Sequence, residues 1–248
     1  MAAVSVVVIT KNEEKNIRDA LSSASFADEI VVLDSFSTDV TVDICREFTD
    51  RVFQEEWRGF SGQKQRAVEL ARNDWVFVID ADERITPGLA EEIKKLTEAG
   101  PDRPGYCCPR RNHFMGREIR HGGWYPDYSI RLFDRRRGRF KERAVHEAVE
   151  LDGEPGYLKN PMLHYTYDSV SDYLARADKY STLAAQEMRK EGRKAGISDL
   201  LLRPHITFIR MYLLKRGFLD GIHGLLLAGL YSYYTFSKYA KLIVIGLR

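Results

Sequence analysis

Three cysteines in 248 residues, Cys45, Cys107 and Cys108, are odd in number, and two of them are adjacent. That pattern excludes a disulfide framework and a cysteine metal knuckle, and it points to a reducing compartment. A charged-then-apolar leader is missing too: the chain enters an apolar, β-rich stretch by Val4, so no signal peptide is expected. The C-terminal apolar stretch 225–230 falls far short of the roughly 20 residues that cross a bilayer. Solenoid repeats and low-complexity tracts are absent. An excess of one charge sign is nearly absent as well, since the formal net charge is +2. With 44% apolar and 30% charged residues, the composition fits neither a disordered chain nor an integral membrane protein. The length allows one substantial α/β core with a smaller appendage.

What is present is a repeated unit: a short apolar run that stops at polar residues, followed by a helical spacing. The plainest case is 74–83, Asp-Trp-Val-Phe-Val-Ile-Asp-Ala-Asp-Glu. Residues 75–79 read as a strand buried on both faces. Asp80 and Asp82 then fall at its C-terminal end, where open α/β sheets bind ligands. With the small Ala81 between them, both carboxylates can approach one divalent cation, and oxygen donors beside phosphate oxygens suit Mg²⁺ or Mn²⁺. The bland alternative is that Asp80 caps a helix beginning at Pro87 and running over 87–96. Further strands are expected at 4–9, 30–33 and 52–53, with helices at 16–24, 41–48 and 62–71. Strand, polar turn and helix alternating in this way describe a doubly wound, mainly parallel sheet with helices on both faces. Asp39 reads as a helix cap, and Ser37 equally as a cap or as a ligand-facing hydroxyl. Asp34 lies directly at a strand end with no helix to cap for several residues. The segment 98–105, rich in Gly and Pro, is the expected internal link.

Charge is unevenly placed. Residues 131–143 hold seven Lys or Arg against Asp134 and Glu142, and the run Arg135–Arg136–Arg137 reads as a solvated face. Residues 201–248 hold seven more against Asp220 alone, so that segment carries +6. There the bases alternate with Tyr, Phe and Leu, the composition of helices lying in a headgroup region. Contact with an anionic membrane surface is one expectation. The other is a helical hairpin of 208–214 and 225–236, packed on the catalytic domain or across a dimer interface. Nucleic acid is excluded as a partner because no binding motif accompanies the bases.

Four signatures, Val-Ile-Thr-Lys-Asn-Glu-Glu (8–14), Val-Val-Leu-Asp-Ser-Phe-Ser-Thr-Asp-Val-Thr (31–41), Gly-Gln-Lys-Gln-Arg-Ala (62–67) and Phe-Val-Ile-Asp-Ala-Asp-Glu (77–83), stand in order at fixed spacings. In these, over roughly residues 1–150, the chain resembles the family 2 glycosyltransferases of GT-A fold. The motifs at 121–127, 145–147 and 217–221 resemble the lipopolysaccharide core β-1,4-glucosyltransferases that act on heptose. The resemblance implies a GT-A (Rossmann-like) catalytic domain at 1–165, split into a nucleotide-sugar half (1–100) and an acceptor half (101–165). A helical, membrane-surface region at 166–248 follows. It implies a UDP-hexose donor, UDP-glucose by the subgroup, and a saccharide or glycolipid acceptor. The enzyme is then expected in the cytoplasm, at the inner face of the membrane. Thr10, Asn12, Glu13 and Asp34 are implied for the nucleotide, with Asp34 accepting from the uracil N–H, and Lys64 and Arg66 for the nucleotide or diphosphate. Asp80, Ala81 and Asp82 then hold the metal and diphosphate.

The same resemblance frames the general base. Family members carry an acidic residue, often a Glu-Asp pair, before an apolar-plus-Arg segment, and 126–133 (Pro-Asp-Tyr-Ser-Ile-Arg-Leu-Phe) fits that frame. Asp127 is therefore the first candidate base, although Pro126 replaces the Glu, and Glu147 is the rival. His146, beside Glu147, is the expected third metal or diphosphate ligand. His113, His121 and His164 are left to structural or acceptor-loop roles. Two other readings compete. A nucleotidyltransferase would need a Gly-rich phosphate loop after the first strand, where 10–14 is acidic and glycine-free. A non-catalytic membrane-surface protein would leave the acidic pair as mere helix caps.

Overall fold

The first half of the chain alternates as its apolar runs predict: β1 (Val4–Thr10), α1 (Ile17–Ser23), β2 (Glu29–Asp34), α2 (Thr41–Arg46), β3 (Val52–Gln54), α3 (Gly59–Leu70) and β4 (Trp75–Asp80). The computed structural model describes residues 2–141 and 148–247. The chain forms two compact units, Met1–Arg110 with Asp127–His164, and Arg111–Pro126 with Tyr165–Arg248.

In the first unit β3, β2, β1 and β4 lie side by side and parallel. β1 is buried along its whole length because both faces are covered. Val4, Val6 and Val8 join a core with Ile17, Ala20 and Leu21 of α1 and with Leu89 and Ile93 of a later helix. Val7 and Ile9 join a second core with Ala67 and Val68 of α3. β4 repeats the division, Phe77 and Ile79 to one side, Val76 and Val78 to the other. Side chains alternate across a strand, so a strand covered twice must be apolar at every position. Each fully buried residue of this size contributes about 1.5–3 kcal/mol.

The sheet then turns mixed. After β5 (Glu83–Ile85) and α4 (Pro87–Ala99) come β6 (Gly105–Phe114), β7 (Arg117–Glu118), β8 (Asp127–Asp134), β9 (Gly138–Lys141), β10 (Ala148–Leu151), β11 (Gly156–Tyr157) and β12 (Met162–Tyr167). β8 pairs antiparallel with β4 and with β6, and β12 antiparallel with β5. Across the sheet the strands lie in the order β3-β2-β1-β4-β8-β6-β12-β5. α4 is capped by Thr86, whose Oγ1 accepts from the Leu89 amide at 3.3 Å, so Asp80 is not its cap. The Arg135–Arg137 run is more than a solvated face. Arg135 donates to the Ala71 carbonyl at 2.6 Å, satisfying an orphan acceptor at the end of α3, and Arg136 pairs with Asp134 and Asp74 at 2.6 and 2.8 Å. All three cysteines are free and buried, and burial pushes the Cys45 and Cys108 thiols up to about 12.

The second unit is built on α5 (Val170–Lys190), α6 (Ile197–Ile209) and α7 (Gly221–Gly246), with a π-helical turn at Arg210–Leu214 and a 3₁₀ turn at Gly217–Asp220 leading from α6 into α7. α7 packs on both α5 and α6. Phe114, Ile119, Trp124, Tyr173, Met211 and Leu227 form its main core. The hairpin is cross-linked where Ser232 donates to the Pro204 carbonyl at 2.9 Å and the Thr207 and Thr235 hydroxyls meet at 3.3 Å. Its outer surface is apolar: Ile197, Leu201, Leu202, Ile206 and Ile209 of α6 and Ile222, Leu225, Leu226, Tyr233 and Phe236 of α7 are all exposed. No helix among the described residues is long and apolar enough to cross a membrane.

The start of α7 is held by backbone-to-backbone approach, since a Cβ at Gly224 would collide with the Gly217 carbonyl. Gly224→Ala is therefore expected to destabilise the helical unit by about 1–3 kcal/mol, the usual cost of overpacking, despite alanine's better helix propensity. Chemical denaturation checks this; a stabilised Gly224→Ala would mean the turn and helix are not in contact.

Candidate active site

The parallel strands end together. Thr10 is the register partner of Asp34, and Ile9 that of Asp80. The loops leaving β1 and β2 are tied to each other by local hydrogen bonds. Asn12, in the left-handed region at φ 54°, accepts from the Thr38 amide at 2.8 Å, and its own amide donates to Ser37 Oγ at 2.8 Å. The Glu13 amide donates to Thr41 Oγ1 at 2.8 Å. Asp39 accepts from the amides of Thr41 and Glu14 at 3.1 and 3.3 Å. Partial burial pushes its carboxyl up, but these donors outweigh it and leave the pKa below the ordinary value. Asp34 is fully buried; it accepts from the Ser37 amide at 2.8 Å, from the Ser37 hydroxyl, and from Gln54 Nε2 at 3.1 Å. Thr10 Oγ1 and Ser35 Oγ, beside it, are buried with no hydrogen-bond partner among the described residues. Orphaned hydroxyls at adjoining strand ends are what a polar ligand would satisfy.

Beneath the acidic pair lies a chain of charges. Lys64, almost wholly buried on α3, places its Nζ 2.7 Å from Asp80 Oδ1. Arg131 on β8 reaches Asp80 at 3.5 Å and Glu83 at 2.5 Å. Glu83 is completely buried and also accepts from the Asp80 amide at 2.9 Å. Arg110 on β6 touches Glu83 at 3.5 Å and Asp127 at 2.7 Å, because Arg110 and Asp127 are cross-strand partners. Burial pushes the Asp80 carboxyl up, yet the Lys64 and Arg131 charges dominate and hold it well below the usual carboxylate range. Lys64, Arg131 and Arg110 thus face Asp80, Glu83 and Asp127, three cations for three carboxylates.

Asp82 stands outside this balance. It lies in the turn between β4 and β5, and its Oδ2 is 3.6 Å from Nε2 of His164. β12 delivers that histidine, since His164 is the register partner of Glu83. The separation exceeds a hydrogen bond, whereas neighbouring donors on an octahedral cation with bonds of about 2.1 Å sit about 3 Å apart. Both side chains are about one-fifth exposed. No group of three or more His, Cys, Asp or Glu able to hold a metal is assembled among the described residues. A carboxylate and an imidazole, with diphosphate oxygens and water to complete the shell, nevertheless fit Mg²⁺ or Mn²⁺.

Of the residues singled out by sequence, Thr10, Asn12, Glu13, Asp34, Asp80, Ala81 and Asp82 fall at or beside the ends of β1, β2 and β4, and Lys64 joins them. Arg66, on the same helix, pairs with Glu55 at 2.9 Å and with Glu69 at 3.6 Å. Asp127 opens β8, one-third exposed. His146 and Glu147 lie outside the described residues. Sequence reasoning passed over Glu83, Arg110, Arg131 and His164. Arg131 had a signal: one basic residue inside the apolar strand Ile130-Arg-Leu-Phe133 needs a buried counter-charge. His164 had none, because its partner lies in a turn some eighty residues away.

Residues 5–150 match the sequence profile of Glycosyl transferase family 2. The lipopolysaccharide core biosynthesis glycosyltransferase LpsC of Rhizobium meliloti is 30% identical over 246 residues, 96% of this chain and 91% of that protein. An uncharacterized glycosyltransferase of Rickettsia bellii is 28% identical over 99% of this chain and 87% of its own length. Among solved structures, the mannosyltransferase PcManGT of Pyrobaculum calidifontis, solved with GDP-Man and Mn²⁺, superposes with a TM-score of 0.56 at 18% identity, covering 98% of this chain and 87% of that one. That likeness concerns the fold.

The burial of Lys64 gives a stability test. Asp80→Asn leaves its ammonium without its nearest counter-charge and is expected to cost about 3 kcal/mol, the scale of a broken buried ion pair. Lys64→Met combined with Asp80→Asn should recover much of that loss. Urea unfolding of the two single variants and the double variant measures the coupling, and additive losses would show that the pair is not coupled.

Proposed function

The chain belongs to Glycosyl transferase family 2, and from that membership we propose that it is an inverting, metal-dependent transferase moving a hexose, glucose by preference, from a uridine diphosphate sugar. The acceptor we propose is a membrane-borne saccharide, such as the heptose of a lipopolysaccharide core; the Rhizobium relative is named for lipopolysaccharide core biosynthesis. The observation that carries this reading is the charge balance at the end of β4. Asp80 is already neutralised by Lys64 and Arg131, which leaves Asp82 with His164 for a cation. Membership of this family sets nucleotidyl transfer aside.

Asp82 and His164 would hold Mg²⁺ or Mn²⁺, which when bound neutralises the departing diphosphate. Thr10 Oγ1 and Ser35 Oγ supply hydrogen-bonding capacity to the nucleoside. Asp34 serves the uracil N–H with whatever lone-pair capacity its bonds to Ser37 and Gln54 leave. Lys64 contributes through Asp80, as a positioning residue. Asp127 takes the proton of the acceptor hydroxyl as that oxygen bonds to the anomeric carbon and the bond from that carbon to the diphosphate oxygen breaks. UDP leaves, and the configuration inverts. Arg110, 2.7 Å from Asp127, orients the carboxylate that serves as base. The exposed apolar faces of α6 and α7, in a segment whose only acidic residue between 201 and 247 is the buried Asp220, suit attachment to an anionic membrane surface.

Two outcomes test this. Asp82→Asn should abolish UDP release from UDP-glucose while the melting temperature is kept, and EDTA should do the same to the unaltered protein. Full turnover of Asp82→Asn in EDTA would remove the cation from the reaction. Asp127→Asn should slow turnover by roughly 10²–10⁴-fold with UDP binding intact. If Glu147→Gln is the more damaging variant, the base is Glu147.

A further inference from the structure

Within the second unit, two segments a hundred residues apart interlock. Asp220 is buried at the entry to α7, and it accepts from the amides of His121 and Arg120 at 2.9 and 3.4 Å and meets Nδ1 of His121 at 3.0 Å. Contact through Nδ1 turns Nε2 away from the carboxylate, and the ring is one-third exposed. The Lys215 carbonyl accepts from the Gly122 amide at 2.8 Å. Its side chain runs over Gly123, at φ 87°, where a Cβ would fall on the ammonium. Among the described residues no ion pair joins Lys215 to an acidic side chain, and the nearby Asp220 of this turn is engaged by His121.

Around these two groups the turn from α6 and the start of α7 expose Leu213, Leu214, Phe218, Leu219 and Ile222, each between 46% and 74% accessible, with Arg216 among them and Arg210 just before. Five large apolar side chains on a ten-residue turn would be left in water by a soluble ligand. A bilayer surface accepts them and offers phosphate at the same depth.

We propose that His121, oriented by Asp220, and Lys215 bind the phosphate of a membrane lipid headgroup at the base of an apolar tip formed by residues 213–222. The proposal rests on the membrane reading above and narrows it to one place. The Lys215 ammonium donates to a phosphate oxygen. The imidazole, held through Nδ1 by Asp220, presents Nε2 to another. Gly123 is required because any side chain there would displace the ammonium. The competing explanation is a clamp that only joins the two segments. His121→Asn separates the two, because asparagine keeps a donor toward Asp220 and removes Nε2.

The test is sedimentation of the full chain with phosphatidylcholine vesicles, with and without phosphatidylglycerol, beside imidazole NMR of His121 during addition of soluble glycerol 3-phosphate. The intact protein should sediment with the anionic vesicles. Lys215→Met and His121→Asn should each weaken that binding about fivefold, the effect of one cation near an anionic surface, with circular dichroism unchanged. Leu214→Ser with Phe218→Ser should weaken binding to both vesicle types. Unchanged binding by Lys215→Met and His121→Asn overturns the phosphate site and leaves the membrane reading standing. No sedimentation of the intact protein, with His121 still responding to glycerol 3-phosphate, overturns the lipid as occupant. No response in either measurement overturns both readings.

Discussion

A lysine can be buried in this protein only because an aspartate meets it, and that pair fixes the end of the central strand. Lys64 comes up from α3, Asp80 comes down from the last residue of β4, and Arg131 and Glu83 close the group from β8 and β5. Four elements are cross-linked at one point by charges with little access to water, where removing one partner is far more costly than removing a pair. Glu83 does double duty by accepting the Asp80 amide, so the backbone that leaves β4 is shaped by the same carboxylate that neutralises Arg131. The site inherits its rigidity from this group, which is what preorganised chemistry requires.

Different physics governs the two units. In the first, strands covered on both sides leave no choice but continuous apolar sequence, and polar residues are expelled to the strand ends, where they gather by register. In the second, helices bury a narrow aromatic-rich core and leave their outer stripes apolar. An exposed apolar stripe lowers solubility, so its presence on two successive helices calls for a partner, which a lipid surface or a second copy could supply. The basic bias of the same segment favours the lipid.

Strand and helix positions in the first half were legible from the chain because period and punctuation agree there. The strand expected at 75–79 extends to Asp80, and the helix expected at 87–96 begins at Pro87 as read, with Thr86 as its cap. The four family signatures carried the fold, and the profile match over residues 5–150 bears that family out. Pairings across the sheet were not legible. Nothing local marks His164 as the neighbour of Asp82 or Arg110 as the neighbour of Asp127, since each depends on an antiparallel register set by long-range packing. Arg66 shows the converse. Its spacing matched a nucleotide-facing position, while Glu55 eleven residues earlier offers it an ion pair.

The Asp-Ala-Asp motif itself shows why a pattern of residue types underdetermines their roles. Two residues apart on a continuous strand, Asp80 and Asp82 would project from the same face and share surroundings. The strand stops at Asp80, however, and Asp82 belongs to the turn that leads into β5. That one change of backbone sends Asp80 inward to two permanent cations and leaves Asp82 facing a histidine whose charge is conditional. One carboxylate is committed to architecture, and its neighbour is left with unspent charge. Roles therefore follow from the backbone and not from residue type: the last position of β4 meets two cations, and the turn that follows meets one imidazole.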